Sequence, residues 1–294
     1  MEGVNCIIVV DKPTGFTSHD VVNVIRKIYH TKKVGHTGTL DPEATGVLPV
    51  CIGKATKVCD MITFSDKEYI ARVKLGIITD TQDIFGKVIE TNDVNVSYDE
   101  VKNAVDSFIG EIYQLPPMYS AIKIGGKKLY ELAREGIEVE RKERKININY
   151  IELSDFSDDE FTIKVGCSKG TYIRTLCHDI GKKLGCGGVM QSLRRTKSSM
   201  FSIMDAYTLD EIKDMAQNEA HIKALKSIDS VFASYEKLVI DDILKKRVVN
   251  GNPTKVNFDI GEFRVYDKDG NFLCIGKVFS EGGNNILKVV KAFY

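Results

Sequence analysis

The segment GHTGTLDPEATGVL, Gly35–Leu48, restricts this chain more than any other. A proline excludes helical geometry from the residue before it, so Asp41, which precedes Pro42, must sit extended at a bend. Gly35, Gly38 and Gly46 let another backbone or a ligand approach closely. A carboxylate on such a loop can act as nucleophile, general base or metal ligand, or it can cap its own turn. No second acid or histidine recurs nearby at ligand spacing, which weighs against a metal, and Glu43 is expected to face elsewhere in the turn. On the residues alone, the reactive carboxylate and the turn cap both stay open.

A reactive carboxylate in a dry site needs a cation to hold it ionised. The stretch CSKGTYIRTLCHDIG, Cys167–Gly181, reads as a strand end running into a helix. Tyr172 and Arg174 stand two residues apart, so both can aim at one site from the first turn, and Arg174 can pair bidentately with Asp41. A packed tyrosine and a helix-surface arginine fit the same spacing. Cys177 and His178 are adjacent and point in different directions on a helix, which disfavours a nucleophile–base pair.

The remaining pattern is mixed. NCIIVV, GVLPVCIG and KEYIARVKLG read as strands, the last with Tyr69, Ala71, Val73 and Leu75 on one side. Further strands are expected near 146–153 and 160–167, and two strand-like runs within 187–203. TSHDVVNVIRKIY reads as a helix capped by Thr17 or Ser18, with Val21, Val22, Ile25 and Ile28 on its apolar face. A short helix is expected around Ala55–Phe64, another from the Ser97 cap to the Gly110 stop, one through TYIRTLCHDIGKKLG, and a polar helical stretch over 209–227. After about residue 235 the character changes to a short helix, Asp241–Val249, and alternating runs around an Asp269-Gly270 hairpin turn. The sum is an α+β fold: a mixed, largely antiparallel central sheet flanked by helices, with a small β-rich unit over 235–294.

Composition bounds the function. The 294 residues suffice for one large domain or two smaller ones. Seven scattered cysteines with no C-x-x-C pair argue against a disulfide framework and a zinc site, and they suit a reducing cytoplasm. No window is apolar enough to span a membrane, and the opening MEGVNCIIVVDKP reads as a strand rather than a signal peptide. Net charge is zero, yet residues 161–200 carry eight Lys/Arg against one acid, Asp179. Such segregation permits one basic face able to hold phosphates.

DKPTGFTSHDVV, GHTGTLDPEATGVLPVCIGKATK, KEYIARVKLG and CSKGTYIRTLCHDIG stand in an order and spacing that resemble the TruB family, the bacterial tRNA pseudouridine-55 synthases. The resemblance runs from about residue 4 to 205 and more weakly to the end; PPMYSAIKIGGKKLYELAREG is similar to the family's RNA-clasping insertion. It implies a pseudouridine synthase catalytic domain over 1–234, the insertion at 116–145, and a PUA-like RNA-binding domain at 235–294. It also implies isomerisation of one uridine in the T loop of tRNA: the base leaves C1′ of its ribose, rotates and rejoins through C5.

By motif position, the resemblance makes Asp41 the catalytic aspartate and Arg174 its ion-pair partner. Tyr69 would stack on the target base and is a candidate for moving the C5 proton. Tyr172 would pack on the other side of the pocket, and Leu193 would line it. His36 would fill the gap left by the extruded base. A base inside a folded loop must be flipped out to be reached, and splayed RNA bases are held by stacking. The reaction involves no redox change and no phosphate chemistry, so no cofactor and no metal are expected.

The DKPTG turn is expected to support the catalytic loop, while Lys12 could reach a phosphate. Lys123, Lys127, Lys128 and Arg134 of the insertion, and Arg194 of SLRRT, are candidate RNA contacts. The implied partner is the T-arm stem-loop of tRNA, with no guide RNA, no obligate protein partner and no membrane. The rivals are a dyskerin-type guide-dependent subunit, which would lack the 116–145 insertion and carry a fuller C-terminal domain, and an RNA-folding protein, best signalled by loss of the aspartate or arginine. A nuclease lacks its paired acids.

Overall fold

A computed structural model describes residues 4–217 and 224–294. Its main sheet runs, strand by neighbouring strand, through Leu225–Lys226, Cys6–Lys12, Thr45–Ile52, Gly188–Ser198, Lys67–Leu75, Glu160–Cys167, Arg144–Ser154 and Gly110–Gln114. Two short strands flank this path: Val34–His36 beside Thr45–Ile52, and Phe201–Ser202 beside Gly188–Ser198. Neighbours along the sheet are antiparallel with one exception, Thr45–Gly46 against Arg194–Arg195. This parallel contact brings the loop that bears Asp41 against the strand that carries Leu193.

The alternation in KEYIARVKL works as expected. Tyr69, Ala71, Val73 and Leu75 are buried, and Ile70 and Arg72 between them are exposed. They pack with Phe161, Ile163 and Val165 of the neighbouring strand and with Ile173, Leu176, Cys177 and Ile180 of the helix Ile173–Lys183. Burying each aliphatic side chain of this kind is worth about 1.5–3 kcal/mol, so this face anchors the helix that positions Arg174. The Ser18–Ile28 helix is capped by Thr17 in a reciprocal box with Asp20, which leaves the Ser18 hydroxyl available for another task. Ser97 and Glu100 box the helix Tyr98–Asp106 in the same way.

Some expectations are corrected. The Ala55–Phe64 helix is a 3-10 turn, Gly53–Val58, followed by a short α-helix, Cys59–Thr63. The two strand-like runs expected in 187–203 are present, as the long strand Gly188–Ser198 and the two-residue strand Phe201–Ser202. The polar helix is described only as Leu209–Gln217; residues 218–223 of that expectation lie outside the described residues, and Leu225–Lys226 is an edge strand. After residue 235 a five-stranded sheet forms, ordered Glu236–Val239, Gly261–Tyr266, Phe272–Glu281, Asn284–Ala292 and Thr254–Val256. Its Ile275 and Phe293 bury in one cluster with Ile7, Val9, Val47 and Phe232, so this unit shares a core with the main sheet. Among the described residues no helix is long and apolar enough to cross a membrane.

Candidate active site

The loop that bears Asp41 is held by buried polar groups on three sides. Lys12 is fully buried, and its ammonium donates to the carbonyls of Pro13 (2.8 Å), Phe16 (2.6 Å) and Pro42 (2.8 Å). The amide of Gly15 also donates to Pro42 O, at 3.0 Å. The DKPTG turn thus supports the loop as expected, but Lys12 is not a phosphate contact. All three of its donors are spent on backbone, and burial pushes its pKa down to about 8. Ser18 clamps Leu40 in both directions, accepting from its amide at 2.9 Å and donating to its carbonyl at 3.2 Å. Glu43 faces away and accepts from Thr14 Oγ1 at 2.9 Å.

On the third side stands Arg195, 1 % exposed. Its Nε donates to Val47 O at 2.7 Å and its Nη2 to Gly38 O at 3.1 Å, so one guanidinium ties both limbs of the loop. The approach requires Gly46: its φ is +101°, and a Cβ there would lie 2.2 Å from the backbone oxygen of Arg195. The sequence reading used SLRRT only for Leu193 and Arg194 and missed this role. The signal was available in the alternation of the strand, which turns Arg195 to the same side as Leu193.

Arg174 reaches Asp41 from the helix across the cleft. Its Nε lies 2.9 Å from Oδ2 and its Nη2 3.5 Å from Oδ1, the bidentate arrangement expected. The arginine side chain is 7 % exposed and the aspartate 43 %, so the carboxylate opens toward the cleft while its partner stays dry. Arg174 is fixed independently of Asp41: Nη1 donates to Thr81 O at 3.0 Å and Nη2 to Tyr119 O at 2.8 Å. A second carboxylate, Asp83 Oδ2, stands 3.8 Å from Nη1. Asp83, Thr81 and Tyr119 were missed because they lie in loops whose spacing says nothing about where they dock. The helix start is fixed by Gln114, whose side-chain amide exchanges hydrogen bonds with the backbone of Tyr172 at 2.8 and 3.0 Å.

Tyr69 lies directly across the sheet from Arg195, and Leu193 is paired with Ala71 two residues along. Burial pushes the Tyr69 phenol up, so it stays protonated at neutral pH, with the nearby Arg195 guanidinium acting in the opposite sense. Tyr172 is half-buried, and its phenol too is raised by burial. Asp41 lies near enough to act electrostatically on both phenols. His36 sits on the strand Val34–His36, paired with Val50, at the other end of the loop. Burial lowers its pKa, with smaller contributions from Arg195 and His19.

The candidate phosphate contacts sit on the insertion and on the strand Gly188–Ser198. Within the insertion, Lys127 pairs with Glu135 at 3.3 Å. Lys128 and Arg134 both stand over the Tyr130 ring, at 5.2 and 5.5 Å. Lys123 is exposed on the small hairpin formed with Lys127–Lys128. Arg194 points to the opposite side of its strand from Arg195, and its guanidinium pairs with Asp11 at 2.7 Å and meets Thr45 at 3.3 Å. Its charge is therefore already matched. Cys177 is fully buried with its thiol pKa raised by burial, which leaves it inert as a nucleophile. Among the described residues no three His, Cys, Asp or Glu side chains gather as metal ligands.

Comparison with known proteins identifies the family. The sequence model of the TruB family pseudouridylate synthase N-terminal domain matches residues 26–173, and that of the tRNA pseudouridylate synthase B C-terminal domain matches 174–239. The tRNA pseudouridine synthase B of Clostridium tetani is 48 % identical over 294 residues, covering 98 % of this chain and 99 % of that protein. The protein of the same name from Alkaliphilus oremlandii is 48 % identical over 271 residues, covering 92 % and 89 %. Among solved structures, a Cbf5-Nop10-Gar1 complex matches with a TM-score of 0.73 at 29 % identity, over 98 % of this chain and 85 % of that one. An H/ACA RNP bound to a substrate RNA containing 2'-deoxyuridine matches with a TM-score of 0.72 at 26 % identity, over 98 % and 85 %. This chain belongs to the TruB family of pseudouridylate synthases and is an isomerase that makes pseudouridine.

Proposed function

We propose that this protein converts uridine-55 in the T loop of tRNA to pseudouridine, without a guide RNA, by flipping the base into the cleft beside Asp41. The observation that carries the reading is the Asp41–Arg174 pair, a half-exposed carboxylate held in place by a buried guanidinium that is itself fixed by two backbone carbonyls. The carboxylate attacks the nucleoside at C1′ or C6, or assists loss of the base as a glycal forms. In each case the C1′–N1 bond breaks, the uracil turns, C5 bonds to C1′, any bond to Asp41 is released, the C5 proton leaves and N1 takes up a proton. Atoms and electrons balance within the nucleotide, so the reaction needs no cofactor.

Tyr69 supplies an apolar ring for stacking and, being protonated, a hydroxyl on a route for the C5 proton. Tyr172 and Leu193 bound the pocket, and His36 enters the RNA where the base has left. The substrate is the T-arm stem-loop of tRNA in the cytoplasm. Lys123, Lys127, Lys128 and Arg134 of the insertion, with the PUA-like unit at 235–294, grip the RNA outside the cleft. The structural neighbours from guide-RNA particles favour a second reading, a subunit that needs a guide; near-complete coverage of relatives named tRNA pseudouridine synthase B favours the first.

The test is to incubate pure protein with a T-arm stem-loop transcript in EDTA, without other RNA or protein, and to map pseudouridine. Wild type should modify the one T-loop uridine. Asp41→Asn should give no detectable product in a single turnover while binding RNA within roughly tenfold, about 1.4 kcal/mol. Asparagine caps a turn as well as aspartate does, so near-wild-type product from a folded Asp41→Asn protein would sink the assignment.

A further inference from the structure

The strand that carries Tyr69 is entered through Phe64, which closes the helix Cys59–Thr63 and is 61 % exposed. The ammonium of Lys169 stands over its ring, 3.9 Å from the centroid. Lys169 comes from the turn that leads from the strand end Cys167 to Tyr172 and Arg174. That turn is held by Ser168, whose amide donates to Asn147 O at 2.8 Å, and by Thr171, whose hydroxyl donates to Ser168 O at 2.9 Å. The pair therefore joins the two segments that deliver Tyr69 and Tyr172 to the cleft.

Lys67 links the pair to the catalytic loop. It is the strand partner of Cys167, and its buried ammonium donates to Thr63 O at 2.6 Å and to Ser65 O, the carbonyls on either side of Phe64. Its Cε lies 4.0 Å from the position a Cβ on Gly38 would take. Phe64 is thus mounted on a fixed support beside the loop that bears Asp41. Asp66, the nearest acid in sequence, is occupied by Asn149, whose Nδ2 donates to it at 3.0 Å. An exposed aromatic ring beside a cation, held rigidly at the edge of a cleft, is the arrangement on which unpaired nucleotides stack.

We propose that Phe64 and Lys169 form a second nucleotide subsite at the rim of the cleft, where an unpaired base flanking the reacting uridine stacks on the Phe64 ring and its phosphate meets the Lys169 ammonium. The proposal rests on the reading of RNA as substrate. It gives the exposed Phe64 ring an occupant.

The chain contains no tryptophan, so Phe64→Trp introduces a single reporter indole. In an Asp41→Asn background, which stops turnover, its emission should be quenched as a T-arm stem-loop transcript binds, while N-acetyltryptophanamide with the same RNA shows no such change. Phe64→Ala should raise KM about tenfold with a far smaller effect on kcat, equivalent to about 1.4 kcal/mol. Phe64→Tyr, which keeps the ring, should retain the wild-type KM. Lys169→Gln should lower the salt dependence of RNA binding by about one phosphate contact. Unchanged indole emission at RNA concentrations that saturate by anisotropy, or a Phe64→Ala KM within twofold of wild type, would overturn the subsite. Wild-type protein that makes no pseudouridine in tRNA would instead overturn the function on which the subsite rests. Normal pseudouridine formation with a silent indole overturns the subsite alone.

Discussion

The ammonium of Lys12 donates to the carbonyl of Pro42 at 2.8 Å, so a buried cation sets the backbone one residue beyond Asp41. Removing it takes the ammonium from the carbonyls of Pro13 and Phe16 and leaves Pro42 O with the Gly15 amide alone. Lys12→Met should therefore destabilise the protein by roughly 2–3 kcal/mol, read by urea denaturation, and should lower kcat. Lys12→Arg should not rescue it, because a planar fork does not fit a cradle shaped for a tetrahedral ammonium. A phosphate contact would behave otherwise, weakening RNA binding and flattening its salt dependence by about one unit while leaving stability alone.

Arg174 serves Asp41 and two backbone carbonyls at once. Lysine keeps the charge and loses the fork, so it can meet only part of this set. Arg174→Lys should reduce the single-turnover rate on the order of 100-fold, with RNA affinity changed far less. A rate within threefold of wild type would show that charge alone suffices.

Gly46 combines a φ of +101° with a Cβ position 2.2 Å from Arg195 O. Both atoms in conflict belong to backbone or to Cβ, so no side chain can swing aside. Gly46→Ala should cost at least about 2 kcal/mol in thermal or chemical unfolding and should lower kcat by displacing the loop. Gly125→Ala, on the exposed insertion turn with nothing near its Cβ position, should pay only for its φ of +59°.

His36 gives a pH signature. Burial holds its folded pKa below the ordinary value of 6.5. A base whose folded pKa is depressed contributes stability that is fully present above the unfolded pKa and is lost as pH falls through the folded one. Wild type should therefore lose more stability than His36→Gln on moving from pH 7 to below 6.5, and the two unfolding curves should draw together in acid. Parallel loss in both proteins would remove His36 as the titrating group.

The sequence by itself determined the elements and the chemistry that short-range rules govern. Asp-Pro required an extended aspartate, alternation in KEYIARVKL put Tyr69 on the buried face, and two-residue spacing let Tyr172 and Arg174 share a helix start. The motif resemblance then singled out Asp41 and Arg174, which the structure brings to 2.9 Å. Tertiary structure decided everything that depends on which distant backbone a polar group meets. Lys12 and Arg194 both read as surface cations. One proved fully buried on three carbonyls and the other paired with Asp11, because neither partner set is visible in the neighbouring residues. Arg195 was overlooked beside Leu193, although a single parallel strand contact turns it into the tie across the loop that bears Asp41. Asp83, Thr81 and Tyr119 likewise gain meaning only where their loops meet Arg174. Local pattern specifies which way a side chain points along its own strand or helix; what it meets there depends on the register and packing of segments far away in the chain.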